Sequence, residues 1–243
     1  MDRRFEVRKR EMLAECEVAP EIFEGVQDRM NEFIQPFADL MRQPSQREHA
    51  SGYVSGLVSD LERKNIESIA YRLDQDRRNL QHFVGSAEWD HQPLFTELAR
   101  QVGQELGEED AVIVFDPSAF AKQGKQSVGV ARQWSGRQGK IDNCQVAVYM
   151  GYISRKDRQL VNTRLYLPEE WTSDRKRMKA AGVPKEIRFK TRHALALEML
   201  DEQGSLLPHA WIAGDDEMGR TTHFRKDLHD RGEQYLLAVP GNT

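Results

Sequence analysis

Two aspartates stand out by what precedes them. Asp116 directly follows the apolar run AVIVF, residues 111–115, and Asp215 follows AWIA, residues 210–213, and Gly214. Short apolar runs of this kind, bounded by polar residues, read as buried strands. Carboxylates at the ends of adjacent central strands can converge on one point. Such hard oxygen ligands suit magnesium or manganese. Two such ions about 4 Å apart can activate a water or a 3′-hydroxyl and stabilise the leaving oxygen in phosphoryl transfer. Aspartates after strands also start turns and cap helices, so spacing alone leaves both roles open. Asp216 and Glu217 follow at once and add carboxylates to the second position.

Other chemistries find little support. Cys16 and Cys144 are far apart and form no metal-ligand pair, which suits a cytosolic, reduced protein. The seven histidines show no zinc spacing, and His223 and His229 read as surface residues of one helix. Ser118 and Ser127 have no partnered histidine, which argues against a serine hydrolase. No apolar run approaches the ~18 residues of a membrane span, and the charged N-terminus is no secretory signal.

The elements that must position the aspartates follow from the apolar pattern. Residues 1–105 read as an all-helical region of five or six short helices, with Leu57, Leu61, Ile66, Ile69, Ala70 and Leu73 at helical spacing. Breakers fall at Gln43-Pro44-Ser45, Gly85-Ser86 and Gln92-Pro93. After Gly107 the pattern changes. Strands are expected at 111–116, 145–153 and 160–167, the first ended by Pro117 and the last two joined as a hairpin through 154–157. Helices are expected over 172–203, broken at Gly182-Val183-Pro184, and over 222–231 with Gly232 as its C-cap. Further strands are expected at 210–213 and 235–239. Early strands followed by alternation describe a mixed sheet with helices packed on it.

Net charge is −4 over 243 residues, which by itself does not suggest a nucleic-acid partner. The sign is uneven. Residues 1–105 hold 14 Lys+Arg against 20 Asp+Glu, and residues 106–243 hold 21 against 19. From Trp171 to Arg192 there are eight cations, Arg175, Lys176 and Arg177 among them, against Asp174 and Glu186. Such a run is either a solvated face or a phosphate-binding one. Arg132, Arg137 and Lys140 lie in a glycine-rich stretch after Asp116, where cations and backbone could approach phosphate. Trp134 beside them could stack on a base or lie half-buried. Arg63 and Lys64 fall on an expected helix that could enter a groove or carry surface salt bridges.

Longer segments carry a resemblance. FDPSAFAKQGKQSVGVARQWSGRQGKIDNCQVAVYMGY, 115–152, resembles the first catalytic block of bacterial insertion-sequence transposases of the DDE superfamily. It continues through RLYLPEEW (164–171), VPKEIRFKTRHALALEML (183–200), WIAGDDEMGR (211–220) and YLLAVP (235–240). Upstream, ERKNIESIA (62–70) and LQHFVGSAEWD (80–90) resemble the helical N-terminal region of the same proteins. The match runs in order along nearly the whole chain.

The resemblance implies an α/β ribonuclease H-like mixed sheet with flanking helices over 106–243, preceded by an all-α DNA-binding region over 1–105. It implies cleavage at transposon ends and strand transfer into target DNA, with Mg2+ or Mn2+ as cofactor. It also implies double-stranded DNA as partner and a cytoplasmic, nucleoid-associated location, and it leaves room for a homodimer on DNA. Asp116 matches the first catalytic aspartate and Asp215 the second, both as metal ligands. Pro117 departs from the pattern, since many relatives have an acid there. The third acid, a glutamate on a helix beyond the last strand, has no match before Thr243, so the chain is expected to be cut off before it. The alternatives are a non-catalytic, DNA-binding or regulatory transposase fragment and an unrelated ribonuclease H-like nuclease such as a junction resolvase.

Overall fold

A computed structural model describes residues 24–239 together with Val7 and Gly241. Cys16 and the charged N-terminus lie outside the described residues. The chain divides into two compact units, Met1–His91 and Gln92–Thr243.

The first unit contains four described helices: α1 (Val26–Asp39), α2 (Pro44–Val58), α3 (Ile66–Arg72) and α4 (Arg77–Gly85). The breakers read from the sequence become starts and stops. Pro44 occupies the first turn of α2, where its missing N–H costs nothing. Gly85-Ser86 ends α4. Gly56 lets α2 approach α3, since a Cβ there would lie 2.3 Å from Cγ2 of Ile69. One expectation fails here: Arg63 and Lys64 are not on a helix. The Asn65 side chain accepts from the Ser68 amide at 2.9 Å, which caps α3 and starts it at Ile66.

The second unit opens with α5 (Gln92–Glu105), which packs there rather than with the helices before it. Its six strands are β1 (Val112–Ala121), β2 (Ala131–Ser135), β3 (Lys140–Ile153), β4 (Arg158–Tyr166), β5 (Trp211–Gly214) and β6 (Tyr235–Leu237). They form one mixed sheet in the order β2-β3-β1-β5-β6, with β4 also on β3. The first four pair antiparallel, while β5 adds to β1, and β6 to β5, in parallel. This is the mixed sheet with flanking helices, preceded by a helical N-terminal region, that the resemblance implied.

One face of the sheet holds the core. Ile113, Phe115, Val148, Met150, Tyr152 and Ile212 meet α5, α8 (Arg192–Gln203) and α10 (Thr222–Asp230). Phe224 and Leu228 of α10 are buried, as their spacing implied, and Gly232 follows with φ 79°, the left-handed cap position. The opposite face carries Val114, Asp116, Ser118 and Phe120 and opens into a cavity of about 840 Å³.

Three local expectations need correction. Strand β1 does not end at Pro117 but runs on to Ala121, paired with β3 without a break in register. The Lys122 amide donates to the Asn143 carbonyl, so by strand alternation residue 117 turns its nitrogen to the other edge. Beyond Phe115↔Gly214 no strand among the described residues pairs with that edge. A proline at a free edge removes no ladder bond. Second, residues 131–135 of the glycine-rich stretch form β2 rather than loop, paired to the first part of β3. Third, the helical stretch after Trp171 is short: α6 (Glu169–Ser173) and α7 (Arg175–Ala180). No helix resumes after Gly182 until Thr191 caps α8, its hydroxyl accepting from the Ala194 amide at 3.1 Å. Residues 183–190 instead wrap around Arg175, whose guanidinium donates to the carbonyls of Lys185 and Ile187.

Candidate active site

The parallel register sets the geometry. Val112↔Trp211, Ile113↔Ile212, Val114↔Ala213 and Phe115↔Gly214 pair in order. The next position on each strand is therefore Asp116 on one and Asp215 on the other. Both line a cleft of about 850 Å³. Burial and the charges of Asp215 and Glu217 push the Asp116 carboxyl above the ordinary carboxylate range.

Asp215 has a second job. It caps α9 (Asp216–Gly219), its Oδ1 accepting from the amides of Glu217 and Met218 at 3.1 Å each. Of the two readings left open by the sequence, the helix-capping one is observed, and it engages Oδ1 of the carboxylate. The turn sits tightly on the sheet, since a Cβ on Gly219 would lie 1.9 Å from the Ala238 carbonyl oxygen.

The other side of the cleft comes from β2 and the turn after it. Trp134 is 54% exposed, and with Gly136 and Arg137 it lines the same space as the aspartates. Arg132 is exposed on β2, and Lys140 is paired with Asp142 at 3.1 Å. Of the remaining cations named from the sequence, two are engaged by the chain itself. Arg175 holds the 185–187 backbone. Arg177 lies 3.7 Å over the Trp171 ring and donates to the carbonyls of Lys125 and Val130. Lys176 is exposed. Arg63 and Lys64 belong to the other unit.

Three site residues were not singled out in the sequence reading, Arg192 entering only as one of eight cations and Glu217 only as a neighbour of Asp215. Arg192 and His193, at the start of α8, line the cleft and bond to Glu217. Glu217, read from the sequence only as a carboxylate added beside Asp215, bears on Asp116 electrostatically. A Thr-Arg-His triplet before an apolar helix signals a helix start, but not what its first turn touches.

Asp116 and Asp215 are a hard-oxygen pair, and the repulsion on Asp116 is the kind a divalent cation relieves. Among the described residues no group of three or more His, Cys, Asp or Glu is placed so that it could hold a metal ion by itself. The pair fits Mg2+ or Mn2+ as part of a ligand set. No helix among the described residues is long and apolar enough to cross a membrane.

A family model for DDE superfamily endonucleases matches residues 36–243. The chain belongs to that family. Over 94 residues it is 34% identical to a probable transposase for insertion sequence element IS701 from Microchaete diplosiphon, across 38% of this chain and 25% of that protein. The chain thus aligns with about a quarter of the length of this curated relative. Among solved structures, the Mos1 transposase paired-end complex with left transposon end overlaps 80% of this chain and 60% of its own, at 11% identity and a TM-score of 0.27. A pre-cleavage Mos1 transpososome overlaps the same shares at 9% identity and a TM-score of 0.19. Overlaps that loose decide nothing about this chain.

Proposed function

We propose that this chain carries the catalytic aspartates of a DNA transposase, a metal-dependent nuclease and strand transferase acting on double-stranded DNA at transposon ends and in the target. One observation carries the reading: Asp116 and Asp215 take equivalent places beyond the last β1–β5 pair, in one cleft, with the Asp215 charge acting on Asp116. Asp116 and Asp215 would hold the metal. A bound divalent ion there supplies positive charge at the attacked phosphate and acidifies the attacking water or hydroxyl.

The chain's own residues do the placing. The cap on α9 fixes one Asp215 oxygen and so orients the other. Asp116 stands at the lip shared by the cleft and the open sheet face. Arg137 and Trp134 offer the far wall a cation for phosphate and a ring for a base. In hydrolysis a water oxygen forms the new bond to phosphorus while the bond to the 3′ oxygen breaks. In transfer, that freed 3′-hydroxyl gives up its proton and its oxygen bonds a target phosphorus, while the bond from that phosphorus to the target strand's own 3′ oxygen breaks and leaves a 3′-hydroxyl there.

Mn2+ titration followed by electron paramagnetic resonance tests this with wild type, Asp116→Asn and Asp215→Asn. Each variant is expected to lose affinity by at least the roughly tenfold that even an outer-shell change costs. Cutting of DNA carrying the element's own ends should stop, while metal-free DNA binding persists, because a negative charge beside phosphate has gone. Unchanged Mn2+ affinity in both folded variants would sink the metal site. Retained DNA binding in that case would favour the non-catalytic, DNA-binding transposase instead.

A further inference from the structure

The turn that presents Asp215 is anchored from outside. Arg192 Nη1 donates to the Glu217 carboxylate, and Nη2 donates to Oε1 of Gln133 at 3.3 Å. The guanidinium lies 4.8 Å from the Tyr166 ring centroid, and the side chain is only 17% exposed. The next residue grips the same turn by its backbone: His193 Nε2 lies 3.1 Å from the Glu217 carbonyl oxygen. That contact requires the ring to be protonated on Nε2. The His193 ring is itself packed at 5.1 Å on Phe224 of the core.

We propose that Arg192 and His193 are positioning residues for Asp215. They tie α9 to the rigid start of α8 and to β2, and so fix where the carboxylate points. The inference rests on the reading of Asp215 as a metal-holding group. The turn has four attachments: the Asp215 cap from inside, the Glu217 carboxylate to Arg192, the Glu217 carbonyl to His193, and the Gly219 carbonyl to Arg225 of α10. Without Arg192 and His193, a helix of four residues keeps its cap, the Arg225 bond at its far end and the packing of Met218 and Gly219, but loses both contacts to Glu217, two residues from the carboxylate. An arginine is needed because two acceptors on different elements must be met by one planar fork. A lysine offers one point charge and cannot stack on Tyr166 in the same way. The Arg192 side chain is buried enough that loss of its charge also leaves Glu217 without its counter-ion.

The test compares Arg192→Met, Arg192→Lys and His193→Phe with wild type. His193→Phe keeps the ring on Phe224 and removes only the bond to Glu217, so it serves where Arg192→Met fails to fold. Three readouts are taken: thermal unfolding, Mn2+ affinity by electron paramagnetic resonance, and metal-free affinity for a labelled generic duplex. Arg192→Met and His193→Phe, when folded, are expected to lose Mn2+ affinity within the roughly 10–100-fold range of outer-shell changes. Arg192→Lys should recover part of that loss, and duplex affinity should stay within about twofold of wild type. On cognate DNA, kcat should fall with KM unchanged. Wild-type Mn2+ affinity in folded His193→Phe and Arg192→Met would overturn the proposal. So would a drop in duplex affinity as large as the drop in Mn2+ affinity, since Arg192 would then be a phosphate contact. If Asp215→Asn also leaves Mn2+ affinity unchanged, the metal-site reading itself has failed. If Asp215→Asn weakens it and these variants do not, only the positioning role has.

Discussion

Asp116 is held beside two negative charges, those of Asp215 and Glu217, in a partly desolvated position. A carboxyl whose proton affinity is raised by folding is one whose charged form works against the fold. Asp116→Asn should therefore raise the Tm of the metal-free protein at neutral pH, against the usual trend of substitutions. Added Mg2+ should raise the Tm of wild type, since a ligand of the folded state stabilises it by mass action, and should do less for the Asn variant. A lower metal-free Tm for Asp116→Asn would mean that its carboxylate is structurally required. The two aspartates were legible in the sequence because each ends a short apolar, strand-like run, and that local signal survives without tertiary knowledge. Arg192, His193 and Glu217 were not. Their partnership spans some 25 residues and depends on where α8 meets the turn after β5. No periodicity encodes that meeting.

Elements were legible where one residue type dominates the local physics. Phe224 and Leu228 one turn apart, with Gly232 beyond them, specify α10 and its end. Pro117 misled because its effect depends on which neighbour the strand has at that point, a property of the sheet rather than of the strand. Strand β2 was hidden by its glycine and arginine neighbours and exists because the first part of β3 offers it an edge. The start of α8 is the element on which most of the site rests, and its cap is testable. Thr191→Ala removes the hydroxyl that accepts from Ala194 and should cost about 1 kcal/mol. For a protein of this size that is a Tm loss of roughly 2–4 °C, measurable by calorimetry. The same helix is tied to α10 by Asp201, which receives two bonds from Arg231 at 2.7 and 2.8 Å. The Arg231 guanidinium holds the Asp201 carboxyl below its ordinary range. A carboxylate depressed by folding stabilises above its unfolded pKa, and that contribution is lost as pH falls through its folded value. Asp201→Asn should thus lower Tm at neutral pH and make no difference in acid. About half of the Asp201 side chain is exposed, so the neutral-pH cost should stay under about 1 kcal/mol.

At the scale of the molecule, the question is where DNA would lie on a chain of net charge −4. Long-range attraction must come from a local positive face. The sequence pointed to the eight cations between Trp171 and Arg192, but the fold occupies most of them. Arg175 and Arg188 bind backbone carbonyls, Arg177 packs on Trp171, Lys190 pairs with Glu198 at 2.6 Å, and Arg192 pairs with Glu217. A guanidinium that holds its own chain together has few donors to spare for phosphate. The cleft rim is different. Arg137 lines the same space as Asp116 and Asp215, and among the described residues it has no carboxylate partner. On the proposed function, a phosphate at the aspartates would share the cleft that Arg137 lines. Each phosphate contact lowers the log of affinity by about 0.9 per log unit of salt. Replacing Arg137 by Gln should therefore weaken binding to any duplex and flatten the salt slope by about one unit, with Tm unchanged. Replacing Lys176, exposed on α7, should change the slope less. Replacing Arg175 or Arg177 should lower Tm, because their partners are backbone carbonyls and an aromatic ring. Fluorescence anisotropy of a labelled duplex over a series of KCl concentrations, run beside thermal melts of each variant, separates these outcomes. A slope that follows Lys176 and ignores Arg137 would move the DNA face away from the cleft and onto α7.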